Sequence, residues 1–217
     1  MSFFGSSMHT LDDLLVHGLK TIYYAERQIA ETLPKMIAMA TNRDLRAGFE
    51  LHLTETENQR VRLEQVFRQH GVEAAETTCP AIDGIIKAAK ATASDIDDKH
   101  VLDAALTFSA QLVEHYEIAQ YGTLVAWARE LGREDCAVLL AETLAEEKAT
   151  DDKLTQIAEA RIKNANRIIL TMVCCRWRHT QPNWQLRHYP WSNPGDLAGR
   201  VNRLRRARFY VRRLLAG

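Results

Sequence analysis

Long uninterrupted helical segments are the feature that most constrains what this chain can fold into. Of its 5 prolines, only Pro34 and Pro80 lie before residue 180. Because an interior proline costs a helix roughly 3 kcal/mol, their scarcity permits helices of many turns. Apolar residues recur with the 3.6-residue helical period in four stretches. We therefore predict four long helices, which run from about Thr10 to Ala40, Arg43 to His70, Asp98 to Leu131 and Glu134 to Asn164.

The signals between these stretches indicate the topology. Thr10 with Asp13 is typical of a helix start, and Gly71 and Gly132 stand where helices end. Short links make the first pair and the second pair of helices antiparallel neighbours. A helix of about 27 residues is roughly 40 Å long, and segment 71–97, which holds a shorter apolar run after Pro80, is long enough to cross that distance. The prediction is an all-α, ferritin-like four-helix bundle with one long crossover that carries a short extra helix.

A glutamate recurs at the matching point of all four long helices. Shifting the chain by 91 residues places Glu26 on Glu117 and Glu55 on Glu146. Glu114 lies one turn before Glu117. A single glutamate near an apolar stripe is usually a solvated flank, whereas several buried carboxylates repel one another and are costly. Two divalent cations would remove that penalty, as they do in di-iron and di-manganese bundles.

The expected ligand set is poor in histidine. Asn58 and Ala149 stand three residues after Glu55 and Glu146, where di-metal bundles place histidine. Oxygen-rich sites suit Fe(II), Mn, Mg or Ca better than Zn or Cu, and the predicted cofactor is two ions of Fe or Mn. The metal candidates are Glu26, Glu55, Glu114, Glu117 and Glu146, with His52, Gln59 and His115 as secondary candidates.

Two further expectations concern neighbours of this set. The repeat favours Glu146 over the adjacent Glu147, so Glu147 is expected to face solvent. Four tyrosines near the carboxylates are expected to pack, with a redox or hydrogen-bonding role as the alternative. They are Tyr23, Tyr24, Tyr116 and Tyr121.

A break in charge divides the chain after residue 166. Residues 1–166 hold 17 Lys and Arg against 27 Asp and Glu, whereas residues 167–217 hold 11 Arg, no Lys and only Asp196 as an acid. We predict a bundle domain over residues 1–166 and an Arg- and Trp-rich basic tail over residues 167–217. The tail has three interpretations: a frame-shifted read-through, disorder, or a basic segment that binds nucleic acid or an acidic surface. In the last case its periodic run 204–214 also permits a membrane-surface helix.

Other sequence features indicate the cellular location and the state of the cysteines. The chain has no run of 18 apolar residues and no basic, apolar leader, so a cytoplasmic protein that does not insert into a membrane is expected. The four cysteines form no C-x-x-C pair and are expected to be reduced thiols. They are Cys79, Cys136, Cys174 and Cys175.

Four segments resemble the YciE/YciF family of ferritin-like bacterial proteins. They are LDDLLVHGLKTIYYAERQIAETLPKM, HLTETENQRVRLEQVF, VEHYEIAQYGTLVAWARELG and LLAETLAEEKATDDKLTQIA, and the match covers about residues 8–165. The resemblance implies a rubrerythrin-like fold, a homodimer, a di-metal centre and a part in bacterial stress responses. By position it carries over the five glutamates named above as metal-site candidates.

Two functions are consistent with these features. The first is a di-metal carboxylate protein of the stress response that handles peroxide or O₂, with an oxidoreductase or peroxidase-like activity. The alternative is a metal-free or weakly metallated structural homodimer that acts in stress through a partner. An iron-storage cage is disfavoured because nothing after the fourth helix resembles the short fifth helix of ferritins.

Overall fold

The computed structural model describes the backbone of residues 8–179 and the side chains of residues 8–160. This part of the chain is helical and holds no strand. Its five helices are α1 (Leu11–Met39), α2 (Arg43–His70), α3 (Pro80–Ser94), α4 (Lys99–Glu130) and α5 (Glu134–His179). α3 is the short extra helix within the crossover, so the predicted all-α architecture is confirmed.

The helix ends form where local sequence signals place them. The Thr10 hydroxyl accepts the Asp13 N–H at 3.0 Å and the Asp13 carboxylate accepts the Thr10 N–H at 2.9 Å, which closes a capping box on α1. The Asp98 carboxylate caps α4. Gly71 and Gly132 follow α2 and α4 with φ angles of 84° and 69°. Glycine adopts this left-handed conformation without the steric cost that other residues meet.

α5 is longer than the sequence analysis predicts, because it ends at His179 rather than near Asn164. Neither glycine nor proline occurs between Gly132 and Pro182, so no residue of this segment strongly disfavours a helix. No helix among the described residues is long and apolar enough to cross a membrane.

The chain divides into two compact units, Met1–Ile169 and Leu170–Gly217. The first unit contains α1 to α4 and most of α5. Of the second, the structure describes only the backbone of the last residues of α5. The predictions for the basic tail, including its helical run 204–214, therefore lie outside the described residues.

The four long helices alternate in direction around one core. Leu124, near the end of α4, packs on Gly18, near the start of α1, whereas Asp103 of early α4 binds Thr41 just after α1. α1 and α4 are therefore antiparallel. α1 also packs on α2, and α3 packs on α4 and α1. Hydrogen bonds link both α2 and α4 to α5. This is the arrangement that a crossover along the whole bundle produces.

Asp103 ties the start of α4 to the turn between α1 and α2. Its buried carboxylate accepts hydrogen bonds from the Thr41 N–H at 2.8 Å, the Thr41 hydroxyl at 2.7 Å and the Asn42 N–H at 3.1 Å. Two of these donors are backbone groups that have few other partners at a turn. This contact fixes the end of the bundle at which α1, α2 and α4 meet.

We predict that Asp103→Ala lowers the free energy of unfolding by about 3 kcal/mol, because it leaves buried donors without an acceptor. Urea unfolding followed by circular dichroism measures the change. The matched control is Asp97→Ala, at an exposed position just before α4, which should change stability by less than about 0.5 kcal/mol. Equal effects for the two variants would contradict this account of Asp103.

Candidate metal centre

Five ionisable side chains from the four long helices meet in the middle of the bundle. They are Glu26 of α1, His52 of α2, Glu114 and Glu117 of α4, and Glu147 of α5. All four glutamates are 0% exposed and His52 is 2% exposed. Each lies on the inward face of its helix, as Glu26 does between the buried Ile22 and Ile29. The helical periodicity that buries the aliphatic core therefore buries these groups as well.

Four of these side chains are close enough to share a cation. One ligand atom from each of His52, Glu114, Glu117 and Glu147 lies within 4.8 Å of the others. His52 Nδ1 is 3.2 Å from Glu114 Oε1, and His52 Nε2 is 4.0 Å from Glu117 Oε2. Glu114 and Glu117 are one turn apart on α4, so both carboxylates point to the same space.

Most of the oxygens in this cluster have no hydrogen-bond donor. Both oxygens of Glu114 and Glu117, one oxygen each of Glu26 and Glu147, and Nε2 of His52 lack a partner. Glu114 Oε1 lies near His52 Nδ1 without hydrogen-bond geometry. Buried polar groups are rarely left unpaired, so a group of acceptors around one space is a strong departure. A divalent cation fits this set, because carboxylates with one imidazole suit Fe(II) or Mn.

Burial also shifts the protonation of the cluster. It raises the pKa of Glu26, Glu114 and Glu117 well above the usual value, and the charge of Glu147 raises these pKa values further. Burial raises the pKa of Glu147 itself to about 7. Without a cation these carboxyls therefore retain protons near neutral pH, and a bound cation would favour their ionised forms.

His52 is the nitrogen ligand of the set, and its environment keeps it neutral. Burial lowers the pKa of its imidazole to about 4. A neutral imidazole keeps a lone pair on one ring nitrogen, which is the form that binds metals. His52 Nε2 has no hydrogen-bond partner among the described residues. This nitrogen is therefore available to a cation.

Two neutral side chains orient the carboxylates of Glu26 and Glu147. The Tyr121 hydroxyl donates a hydrogen bond to Glu26 Oε1, and Gln59 Nε2 donates one to Glu147 Oε1 at 2.6 Å. Tyr121 and Gln59 are both buried. In each case one carboxylate oxygen is held and the other oxygen has no partner. Such contacts fix the direction in which the second oxygen points toward a ligand.

The structure corrects the choice between Glu146 and Glu147. The expectation that Glu147 faces solvent is wrong, since it is fully buried. Glu146 instead accepts two hydrogen bonds from Arg62, at 2.8 and 2.9 Å, and one from Gln59 Nε2 at 3.0 Å. The inward face of α5 follows Leu140, Thr143 and Glu147. This spacing of three and four residues predicts the buried position on α5 better than the 91-residue repeat does. The repeat assumes that α2 and α5 turn the same face toward the core.

Two other candidates lie outside the cluster. Glu55 is half-buried and accepts a hydrogen bond from the Thr150 hydroxyl at 3.3 Å. The His115 side chain is 69% exposed, and its Nε2 lies 3.3 Å from Asp151 Oδ1. Of the predicted set, the structure therefore brings together Glu26, Glu114, Glu117, His52 and Gln59.

The tyrosines and cysteines near the cluster are hydrogen-bonded or buried. Tyr121 does more than pack, because it binds Glu26, while Tyr23 and Tyr24 donate to acids at the surface of the bundle. Tyr116 lies 3.1 Å from the Cys79 sulfur. Cys79 and Cys136 are free thiols, as expected, and the other two cysteines lie beyond the described side chains.

A small crevice between α2 and α5 has His52 in its lining. Gly48, Phe49 and Leu51 line it on α2, and Leu154 and Ile157 line it on α5. Lys153 is also part of its lining. Apolar walls favour small uncharged molecules over ions, because an ion would lose its hydration there.

Comparison with known proteins places this bundle in a family. The family described as a domain of unknown function, DUF892, matches residues 10–166. The protein YciF of Escherichia coli (strain K12) is 41% identical over 162 residues, which are 74% of this chain and 96% of YciF. The crystal structure of that E. coli stress protein aligns with a TM-score of 0.70 over 72% of this chain and 99% of its own.

Solved structures extend the likeness. YcfI of Rhodopseudomonas palustris is 56% identical, with a TM-score of 0.69 over 70% of this chain and 98% of its own. A two-domain protein of Anabaena variabilis, with DJ-1/ThiJ/PfpI-like and ferritin-like domains, is 15% identical with a TM-score of 0.51. The match covers 85% of this chain and 42% of the Anabaena protein, and it shows the ferritin-like fold alone. Because the family match spans the whole bundle and YciF is 41% identical, the chain belongs to the DUF892 family of YciF-like proteins.

Proposed function

We propose that this chain is a di-metal carboxylate protein of the bacterial stress response, which holds two ions of Fe or Mn and handles peroxide or O₂. The observation that carries the proposal is the group of fully buried glutamates with unpaired oxygens around His52. Two divalent cations would balance the charge of four ionised carboxylates in a core that otherwise disfavours them. The similarity to the E. coli stress protein YciF supports the stress role.

The side chains of such a site would have different roles. Glu114, Glu117, Glu147 and His52 would hold the ions, with Glu26 as the carboxylate from α1. A bound pair of redox-active ions supplies two electrons for the reduction of a peroxide or of O₂. Burial raises the pKa of the Tyr121 hydroxyl, so it keeps its proton and continues to donate to Glu26. The apolar crevice that has His52 in its lining suits a small uncharged oxidant.

We predict that metal binding depends on Glu147 and not on its neighbour Glu146. The wild-type protein, purified without chelator, should hold two Fe or Mn ions per chain by elemental mass spectrometry. Glu147→Gln should weaken metal binding by about 100-fold, the upper range for loss of groups that support a site, and peroxide consumption should fall with it. Glu146→Gln, the matched control, should retain its metal, because the Glu146 carboxylate binds Arg62 instead.

Two outcomes would count against this assignment. Equal metal loss in Glu147→Gln and Glu146→Gln would indicate that Glu146 is also a metal ligand. A wild-type protein without metal, whose melting temperature is unchanged by chelator, would exclude the di-metal function, since a ligand that binds the folded state stabilises it.

We predict that the metal-free protein loses stability as the pH rises from 6.5 through 7. Folded Glu147 keeps its proton up to about pH 7, whereas an unfolded glutamate releases it near 4.5. The folded state then binds more protons, so the free energy of unfolding falls as pH rises, by about 1 kcal/mol per pH unit for each such group. His52 opposes this trend in part, because an unfolded histidine is half protonated at pH 6.5 whereas folded His52 is already neutral. The raised pKa values of Glu26, Glu114 and Glu117 act in the same direction as that of Glu147 and outweigh this single group.

Differential scanning calorimetry of chelator-treated and metal-loaded protein checks this prediction. The metal-free melting temperature should fall by a few degrees over this pH range. The metal-loaded protein should change less, because its carboxylates are already ionised. Identical pH dependence in the two forms would contradict the link between cation and carboxylate charge.

An apolar face of α4 supports the second candidate function, a metal-free or weakly metallated structural homodimer that acts through a partner. Val101, Phe108 and Leu112 are 54%, 60% and 40% exposed. They are seven and four residues apart, so they share one side of the helix. Exposed apolar faces commonly mark contacts between proteins. The same face would serve a homodimer of the di-metal protein.

We predict that Phe108→Asp shifts the mass measured by light scattering from two chains toward one. A charge in a contact face opposes association because it would be buried without a partner. The control is Val61→Asp on α2, where an apolar side chain is 54% exposed away from this stripe. A single-chain mass for the wild type, or equal effects of both changes, would contradict a dimer through α4.

A further inference from the structure

Asp151 of α5 and His115 of α4 face each other outside the buried cluster. Asp151 Oδ1 lies 3.3 Å from His115 Nε2, and their side chains are 21% and 69% exposed. A carboxylate oxygen and an imidazole nitrogen at this separation are two ligands that a divalent cation accepts. His115 is thus open to solvent, whereas Asp151 Oδ1 is a buried oxygen without a hydrogen-bond donor. Together they have the chemistry of a weak cation site.

The pair adjoins the buried cluster on both helices. His115 directly follows Glu114 on α4, and Asp151 lies four residues after Glu147 on α5. Residues four apart on a helix are neighbours on one face, roughly 6 Å apart at Cβ. Burial and the charge of Glu147 raise the pKa of Glu114, and the charge of Asp151 also contributes to the rise. Asp151 therefore lies within electrostatic reach of a buried ligand candidate.

The acids next to the pair keep three oxygens without a hydrogen-bond donor. Glu114 and Glu147 are fully buried, and both oxygens of Glu114 and Oε2 of Glu147 have no hydrogen-bond partner. Exposure falls from His115 through Asp151 to these two glutamates. A cation held by Asp151 and His115 would find further oxygens without hydrogen-bond donors inward of it, on carboxyls that become charged as they release their protons.

The other acids that border Glu147 have cationic neighbours. Arg62 donates two hydrogen bonds to Glu146. Glu55 lies within the electrostatic reach of Lys153, which, like His52, lines the crevice. By contrast, no lysine or arginine within residues 8–160 forms an ion pair with Asp151. The acids on the α2 side of α5 are therefore compensated by neighbouring cations, whereas Asp151 on the α4 side has no lysine or arginine partner among these residues.

We propose that Asp151 and His115 form a transient capture site through which a divalent cation reaches Glu114 and Glu147. This inference rests on the proposed function, because it requires the buried cluster to be a metal site. The step is a ligand exchange with release of protons: water on the cation is replaced first by Asp151 and His115 and then by the buried carboxylates, whose protons pass to solvent as the cation binds. The uncharged oxidant would use the separate apolar crevice.

The test measures the rate and the extent of metal uptake separately. Metal-free full-length protein is mixed with Co(II) in a stopped-flow instrument, and the visible absorbance of the bound ion is followed. Asp151→Asn should slow uptake by about tenfold, the scale of electrostatic steering, while the final number of bound ions stays as in wild type. Asp152→Asn, an exposed neighbour on α5, is the matched control and should leave both quantities unchanged.

Added salt and a second variant provide further checks. Salt should slow uptake by the wild type more than by Asp151→Asn, because the steering charge is exposed to screening. His115→Ala removes an exposed side chain that the fold does not bury, so it tests the site even if Asp151→Asn fails to fold. It should also slow uptake without changing the final stoichiometry.

The outcomes separate this inference from the function on which it rests. Wild-type uptake rates in Asp151→Asn and His115→Ala would overturn the capture site and leave the metal centre standing. A lower final stoichiometry in Asp151→Asn would also overturn it, since Asp151 would then be a permanent ligand. A wild-type protein that binds no Co(II), Mn(II) or Fe(II) would overturn the proposed function and the capture site together.

Discussion

The burial of four glutamates in one helical core is the constraint on which the rest of this structure depends. Moving an ionised carboxylate into a protein interior costs several kcal/mol even after relaxation, and like charges add to the cost. Tyr121 and Gln59 supply one hydrogen bond each, to Glu26 and Glu147, and most remaining oxygens have none. Two states relieve the cost: the carboxyls hold protons, or cations bind among them. The choice between these states links stability, pH and metal content in this protein.

The architecture explains why these groups meet at all. With a crossover that runs the length of the bundle, neighbouring long helices are antiparallel, so the middle of each helix faces the middle of the next. Glu26, Glu117 and Glu147 each lie near mid-helix within the bundle, and they therefore converge. Contacts at the ends keep the helices in register, as Asp103 does by binding the turn after α1. Loss of register at one end would move a carboxylate away from its partners at the centre.

Local signals made the helices and part of the site predictable from the sequence. Thr10, Gly71 and Gly132 define helix ends through their own backbone or side chain, which needs no tertiary information. Glu26 and Glu117 interrupt aliphatic stripes, so periodicity alone places them inward.

The assignments on α2 and α5 required more than a repeat. On α2 the inward face follows Phe49, His52, Thr56 and Gln59, which leaves Glu55 at its edge. Because this face is largely polar, apolar periodicity does not identify it, and the repeat favoured Glu55 and Glu146 instead. A one-residue error rotates a side chain by about 100° on a helix of 3.6 residues per turn. That rotation is what separates Glu146, which binds Arg62, from the buried Glu147.

The ligand chemistry also limits which ions such a core would hold. Zinc and copper gain most from nitrogen and sulfur ligands, whereas this cluster offers carboxylate oxygens and the single imidazole of His52. Attraction between charges in a medium of low dielectric would supply most of the binding free energy, and it acts on any divalent ion. Selection then depends on ligand number and geometry, which Tyr121 and Gln59 set by fixing one oxygen of Glu26 and Glu147. Loss of either hydrogen bond would loosen the geometry while leaving the total charge unchanged, so it would alter the preference among ions more than the capacity to bind them.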